Sequence, residues 1–105
     1  MADYLTVFTA TETHDQAVNL ARSAVQARLA AGAQITGPVT SAFWHAGDFG
    51  TGQEYQLRLT TSGARYADLE AHLTENHPWT TPEITATAIV RGSSSYLEWV
   101  DRTTA

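Results

Sequence analysis

The sequence predicts an α+β domain with element order β-α-β-β-α-β-α, an antiparallel sheet and both crossover helices on one face. Three observations carry this. Ala17, Leu20, Ala21, Ala24, Val25 and Leu29 recur at helical spacing, as do Tyr66, Leu69 and Leu73. From Glu54 to Thr61, Tyr55, Leu57, Leu59 and Thr61 alternate with polar residues, the period of a strand with one buried face. Each helical segment lies between stretches rich in β-branched and aromatic residues, and right-handed crossovers then bring both helices to the same side of the sheet.

The elements follow in order. Tyr4 to Thr9 is β-branched and aromatic and reads as the first strand, with Leu5, Val7 and Thr9 on one face and Tyr4, Thr6 and Phe8 on the other. Thr13 and Gln16 have the spacing of a capping box and open the first helix. Gly32 is the expected helix terminator. An extended stretch from Ala33 to His45 comes next, with Gly37-Pro38 expected at a bulge or sheet edge because proline cannot donate to a ladder. Gly47 to Gly52 is expected to form the hairpin turn leading to Glu54. Ser62 is the expected cap of the second helix, which ends near Asn76. Ile84 to Val90 reads as the last strand, and Ser93 or Ser94 caps a short helix carrying Tyr96, Leu97, Trp99 and Val100.

At 105 residues the chain is expected to be a single domain spanning 1–105. Apolar residues make up 43% and charged residues 16%, a low charge fraction that predicts apolar surface meeting another subunit. The net charge is -5, and the basic residues are six dispersed arginines with no lysine. Nucleic-acid binding needs a clustered basic face, so that class is set aside. No apolar run approaches the length of a membrane span and no signal-peptide pattern opens the chain, so no membrane partner and a cytoplasmic location are expected. The absence of cysteine excludes disulfides and thiolate ligation of metal.

The connector His77-Pro78-Trp79-Thr80-Thr81-Pro82-Glu83-Ile84 stands out. Its two prolines each fix φ and push the preceding residue out of the helical region, so His77, Trp79 and Glu83 are expected in a defined geometry between helix and strand. The face of the sheet opposite the crossover helices is expected to lack a helix of its own. Such a face bears Thr, Ile and aromatic side chains and is expected to be covered by self-association.

Several segments together resemble the CutA family of divalent-cation tolerance proteins. They are Thr9-Ala10, Arg28-Leu29-Ala30-Ala31, Ser41 with Phe43 and Gly47, Glu54-Tyr55, His77-Pro78-Trp79 with Pro82-Glu83-Ile84, and Tyr96-Leu97 with Trp99. The resemblance implies a ferredoxin-like split β-α-β subunit and a PII-like homotrimer with clefts between subunits near the connector. It also implies divalent-metal tolerance and binding of copper or another divalent ion. The chain departs from the family pattern at Gly32, where many members carry a cysteine, and at Gln34, His45, Asp48 and Thr60. Without the thiolate, soft ions such as Cu(I) lose their best ligand.

His77 and Glu83 can offer one nitrogen and one oxygen to copper or zinc, with His45 or Glu54 from a neighbouring copy completing the set, since a tight site usually has three or four protein ligands. In the alternative, His77 caps helix-end carbonyls, Glu83 accepts backbone N–H groups, and His45 is an ordinary strand residue. His14 and His72 are expected on solvent-facing helix positions. Trp79, Tyr96 and Trp99 are expected as core or interface aromatics, with Trp79 and Tyr96 beside an inter-subunit cleft. Trp44 and Phe43 are candidates for an exposed wall against which a planar small molecule would stack. Glu54, Glu83 and His77 can act as acid and base only if they converge, and no nucleophile elbow or phosphate loop is present. A metal-response protein, a small-metabolite sensor or interaction module, and an enzyme recruited onto this scaffold therefore all stay open.

Overall fold

The computed structural model describes residues 2–105 and gives β1 (Tyr4–Thr11), α1 (His14–Gln26), β2 (Gly32–His45), β3 (Asp48–Ser62), α2 (Tyr66–Asn76), β4 (Thr85–Ala88) and α3 (Ser94–Thr104). One turn of 3-10 helix, Gly63–Arg65, joins β3 to α2. The four strands form an antiparallel sheet in the order β2-β3-β1-β4. This is the α+β architecture that the sequence predicts.

Strand parity decides where the core sits. Val7 faces the same side as its partner Leu59, and Leu57 lies opposite Thr9. These side chains are buried with Leu20 and Ala24 of α1 and Leu69 and Leu73 of α2 in one cluster, so both crossover helices share a face. The other face, expected to carry no helix, is covered at one end by α3. Thr104 lies 3.3 Å from the Ser62 hydroxyl, the Tyr4 hydroxyl donates to Asp101 at 2.6 Å, and Trp99 approaches Gly32. Val100 and Thr104, four residues apart and so on one face of the helix, are buried and anchor it there.

The capping box opens α1 as expected: the Thr13 hydroxyl accepts from the Gln16 N–H, and the Gln16 side chain accepts from the Thr13 N–H. The end of the helix differs from expectation. Gly32 is the first residue of β2, and α1 stops at Gln26 through paired bonds from Arg28 N–H to Val25 O and Leu29 N–H to Ala24 O. That closure needs a left-handed residue, and Arg28 takes the position at φ 59° without being glycine. Its guanidinium donates to Thr103 O at 3.1 Å, and Leu29 enters the core, so tertiary contacts offset the backbone cost.

Other boundaries shift for similar reasons. β1 runs on to Thr11 because β3 pairs it that far. The expected Gly47 to Gly52 turn is only Ala46-Gly47, and Asp48 to Gly52 belong to β3. Both turn residues have positive φ, 50° and 84°, as the tightest hairpin turns require. Alanine is strained there. Ala46→Asn is expected to raise the unfolding free energy by about 1 kcal/mol, read as a higher midpoint in urea at unchanged slope. Ser62 precedes the 3-10 turn, makes no side-chain cap, and α2 starts at Tyr66 instead. The last strand is Thr85–Ala88, shorter than Ile84 to Val90: its ladder with β1 runs from Thr85–Phe8 to Ala88–Leu5, and beyond it only the Ile89 N–H still donates, to Tyr4 O at 3.0 Å. Of the two candidate caps for α3, Ser93 is the one used.

The Gly37-Pro38 expectation holds: the β2–β3 register shifts between Thr36 and Val39. Beyond that bulge, Val39 to His45 pair with Asp48 to Glu54, while β1 pairs with β3 only from Tyr55 onward. The hairpin therefore projects past the sheet as a two-stranded arm, and the molecule is 45 Å long but only 25 and 22 Å across.

Candidate functional site

The connector is held by His77. Its Nε2 lies 2.8 Å from Ala10 O, and its Nδ1 accepts the Trp79 N–H at 3.0 Å. The carbonyl must receive a proton and the Trp79 N–H must donate one, so the neutral tautomer carries its hydrogen on Nε2. The ring is buried, and its pKa is lowered because burial disfavours the charged form, an effect the Ala10 bond partly opposes. Pro78 sits between the two bonded positions and keeps the chain extended where the ring can reach both. His77 thus ties connector to β1, rather than capping helix-end carbonyls.

This arrangement leaves no ring lone pair on His77 for a metal ion, so in this fold His77 does not fit as a ligand. Glu83 is exposed and accepts the Thr85 hydroxyl at 3.0 Å, where backbone N–H groups were the expected donors. Glu54 is half-buried and accepts from the Ser41 hydroxyl at 2.8 Å. His45 is exposed at the end of the arm opposite Asp48, six strand positions from the Val39–Glu54 pair and so roughly 20 Å away. No group of three His, Asp or Glu side chains with metal-binding geometry exists among the described residues. His77, Glu83, His45 and Glu54 are therefore not brought together within one chain.

The aromatic candidates are distributed differently from expectation. Trp79 is half-buried and tilts against the His77 ring at 5.2 Å. Tyr96 and Trp99, expected in the core or at an interface, lie outside the core, 44% and 39% exposed in the single chain, and pack on each other at 5.6 Å along α3. Phe43 and Trp44 do not form one wall, because adjacent strand residues face opposite ways. Trp44 makes an edge contact with Phe49, its partner across the hairpin, and both are largely exposed at 75% and 62%. Phe43 lies on the other side over Gly50 and Gly52, where an added Cβ at Gly50 would come within 3.2 Å of the ring.

Three further contacts escaped the sequence reading. His72, expected to face solvent, is half-buried and lies 2.9 Å from the Ser23 hydroxyl across the α1–α2 seam; its place beside the Leu69/Leu73 stripe was the available signal. The Ser41–Glu54 and Tyr4–Asp101 bonds span pairs whose proximity only strand register and helix docking reveal. Ala2, Tyr4, Ser62, Arg65 and Asp101 also line a hollow of about 690 Å³ at the opposite end of β1 from the Ala10–His77 bond. It contains none of the candidate site residues.

The chain is similar to known proteins over nearly its whole length. Residues 5–103 match the family described as CutA1 divalent ion tolerance protein. The divalent-cation tolerance protein CutA of Thermus thermophilus is 32% identical over 92 residues, 88% of this chain and 89% of that one. The CutA protein of Archaeoglobus fulgidus is 30% identical over 89 residues, 85% of this chain and 86% of its own. The crystal structure of CutA from Xylella fastidiosa superposes with a TM-score of 0.95 at 27% identity, covering 99% of this chain and all of that one. With the sheet order, the connector and the projecting arm already in place, these matches mean that the chain belongs to the CutA1 divalent ion tolerance family.

Proposed function

We propose that this protein serves in divalent-cation tolerance as a homotrimer, with ion-facing groups contributed by more than one copy. The observation that carries this reading is the arm. A two-stranded ribbon is marginal in water by itself, yet here it bears Trp44, Phe49 and Phe43 on both its sides. Laying the arm on a neighbouring copy would bury those rings, and the exposed Tyr96–Trp99 pair and the open edge of β4 offer complementary surface. The likeness to CutA relatives supports this assembly and the tolerance role.

Ion binding in this reading is weak and shared between copies. Within one chain the oxygen and nitrogen donors lie apart, and His77 is engaged, so His45, Glu54 and Glu83 are the groups that assembly would bring near an ion. Carboxylate and imidazole suit Cu²⁺ or Zn²⁺ better than Cu(I). Calorimetry with each ion on the assembled protein is expected to show affinity that falls about tenfold in His45→Ala, the loss of one ligand, and is unchanged in folded His77→Gln. The opposite pattern would return the site to the connector, and no heat with either ion would remove direct binding from the proposal.

A further inference from the structure

From Pro78 to Glu83 the chain has neither helix nor strand, and the one backbone hydrogen bond it makes among the described residues runs from Trp79 N–H to the His77 ring. Pro78 and Pro82 have no N–H to offer. Pro78, Thr80, Thr81 and Glu83 are exposed, and the Trp79 ring leans on the imidazole at 5.2 Å. The segment is therefore tied down at its start by a single side chain and rejoins the core at the half-buried Ile84. Beyond it, β4 is an edge strand of four exposed residues. The elements on either side of the ring are anchored independently of it, since Val7 of β1 and Leu73 of α2 are fully buried.

No charged group holds the ring. β1 carries no charged residue from Tyr4 to Thr11, and β3 places Leu57, Gln56 and Tyr55 opposite Thr9, Ala10 and Thr11. The approach to α1 and its first turn bring Glu12, His14 and Asp15, the last turns of α2 bring His72 and Glu75, and the connector brings Glu83. His72 is engaged by Ser23 and Glu83 by Thr85, and among the described residues none of these groups hydrogen-bonds or ion-pairs with His77.

We propose that His77 is an acid-sensitive latch: a proton on Nδ1 detaches residues 78–83 from the ring and exposes Trp79 while the sheet and the helices stay folded. A protonated imidazole donates from both nitrogens, so it keeps Ala10 O and turns a donor against the Trp79 N–H. The charged ring also needs water, which burial denies it. Moving the connector answers both demands. It is the least bonded of the segments around the ring, and such segments open at a fraction of the free energy of global unfolding. The open form takes up the proton at the ordinary 6.5 and the closed form only at lower pH, because burial disfavours the charge. Opening therefore grows as pH falls through that interval and is constant above it. The latch lies within one chain and needs neither a metal ion nor a second copy.

Amide exchange of the native protein, followed by NMR from pH 7.5 to 5 and corrected for the intrinsic exchange rate, tests this. At each pH the opening that exposes the Trp79 N–H should be at least about 100-fold more frequent than the opening that exposes Leu57 and Leu59. It should grow by up to about tenfold per pH unit below 6.5. His77→Gln retains one donor and one acceptor and cannot titrate, so its Trp79 opening should be independent of pH. In the parent protein the carbon-bound ring protons of His77 should shift over the pH range in which Trp79 opens, a readout that needs no variant. Equal protection at Trp79 and Leu57 would show that the connector opens only with the whole fold and would overturn the latch. So would titration of the ring without a change at Trp79, or the same pH response in His77→Gln.

Discussion

His77→Ala is expected to lower the unfolding free energy by about 3 kcal/mol and to remove a pH dependence expected of the parent protein. The substitution deletes two hydrogen bonds and leaves the Ala10 carbonyl and the Trp79 N–H without their partner. Each bond contributes about 1 kcal/mol, and a buried group left unpaired costs about 1–3 kcal/mol more. The pH effect follows from burial. The folded pKa of His77 is lowered from 6.5, so the unfolded chain binds more protons at mildly acidic pH. The stabilising contribution is fully present above the unfolded value and is lost as pH falls from about 6.5 toward the lowered folded value, with a limiting slope of about 1.4 kcal/mol per unit. A proton on Nδ1 would also face the Trp79 N–H, donor against donor. Urea unfolding of both proteins from pH 7.5 to 5 measures this. A parallel pH profile for the parent and His77→Ala would show that the imidazole does not titrate as its hydrogen bonds require.

The second large effect concerns the arm. Trp44→Ser combined with Phe49→Ser is expected to convert an assembly of about three times 11.4 kDa into single chains in sedimentation equilibrium at low micromolar concentration. These rings lie outside the core cluster, so the far-UV spectrum of the separated chains should keep its α+β shape. Loss of two exposed aromatics would otherwise change little, since surface substitutions are usually within about 0.5 kcal/mol. If the parent protein itself sediments at 11.4 kDa, the arm has no neighbour to cover and the inter-copy reading of metal response fails with it.

Much of this was legible in the residues. Helical spacing gave Leu20, Ala24, Leu69 and Leu73 as core, and strict alternation did the same for Leu57 and Leu59. The Thr13–Gln16 box and the Gly37-Pro38 bulge were read from local chemistry that the fold leaves intact. The end of α1 was misplaced because Arg28 holds a conformation usually given to glycine, and its compensation comes from α3, far along the chain. The length of β3 was hidden for a similar reason. Glycines at 50 and 52 look like turn residues, but they leave room for the Phe43 ring across the hairpin.

Sequence by itself determined the order of the elements, the identity of the core and the stiffness of the connector, because these depend on period, capping and proline geometry within short stretches. Only tertiary structure decided what His77 does, since its partners are a carbonyl 67 positions away and an N–H that proline places within reach. It likewise decided that His45, Glu54 and Glu83 stay apart within one copy. Convergence of polar groups is a property of register and helix docking, and neither leaves a periodic trace in the residues that converge.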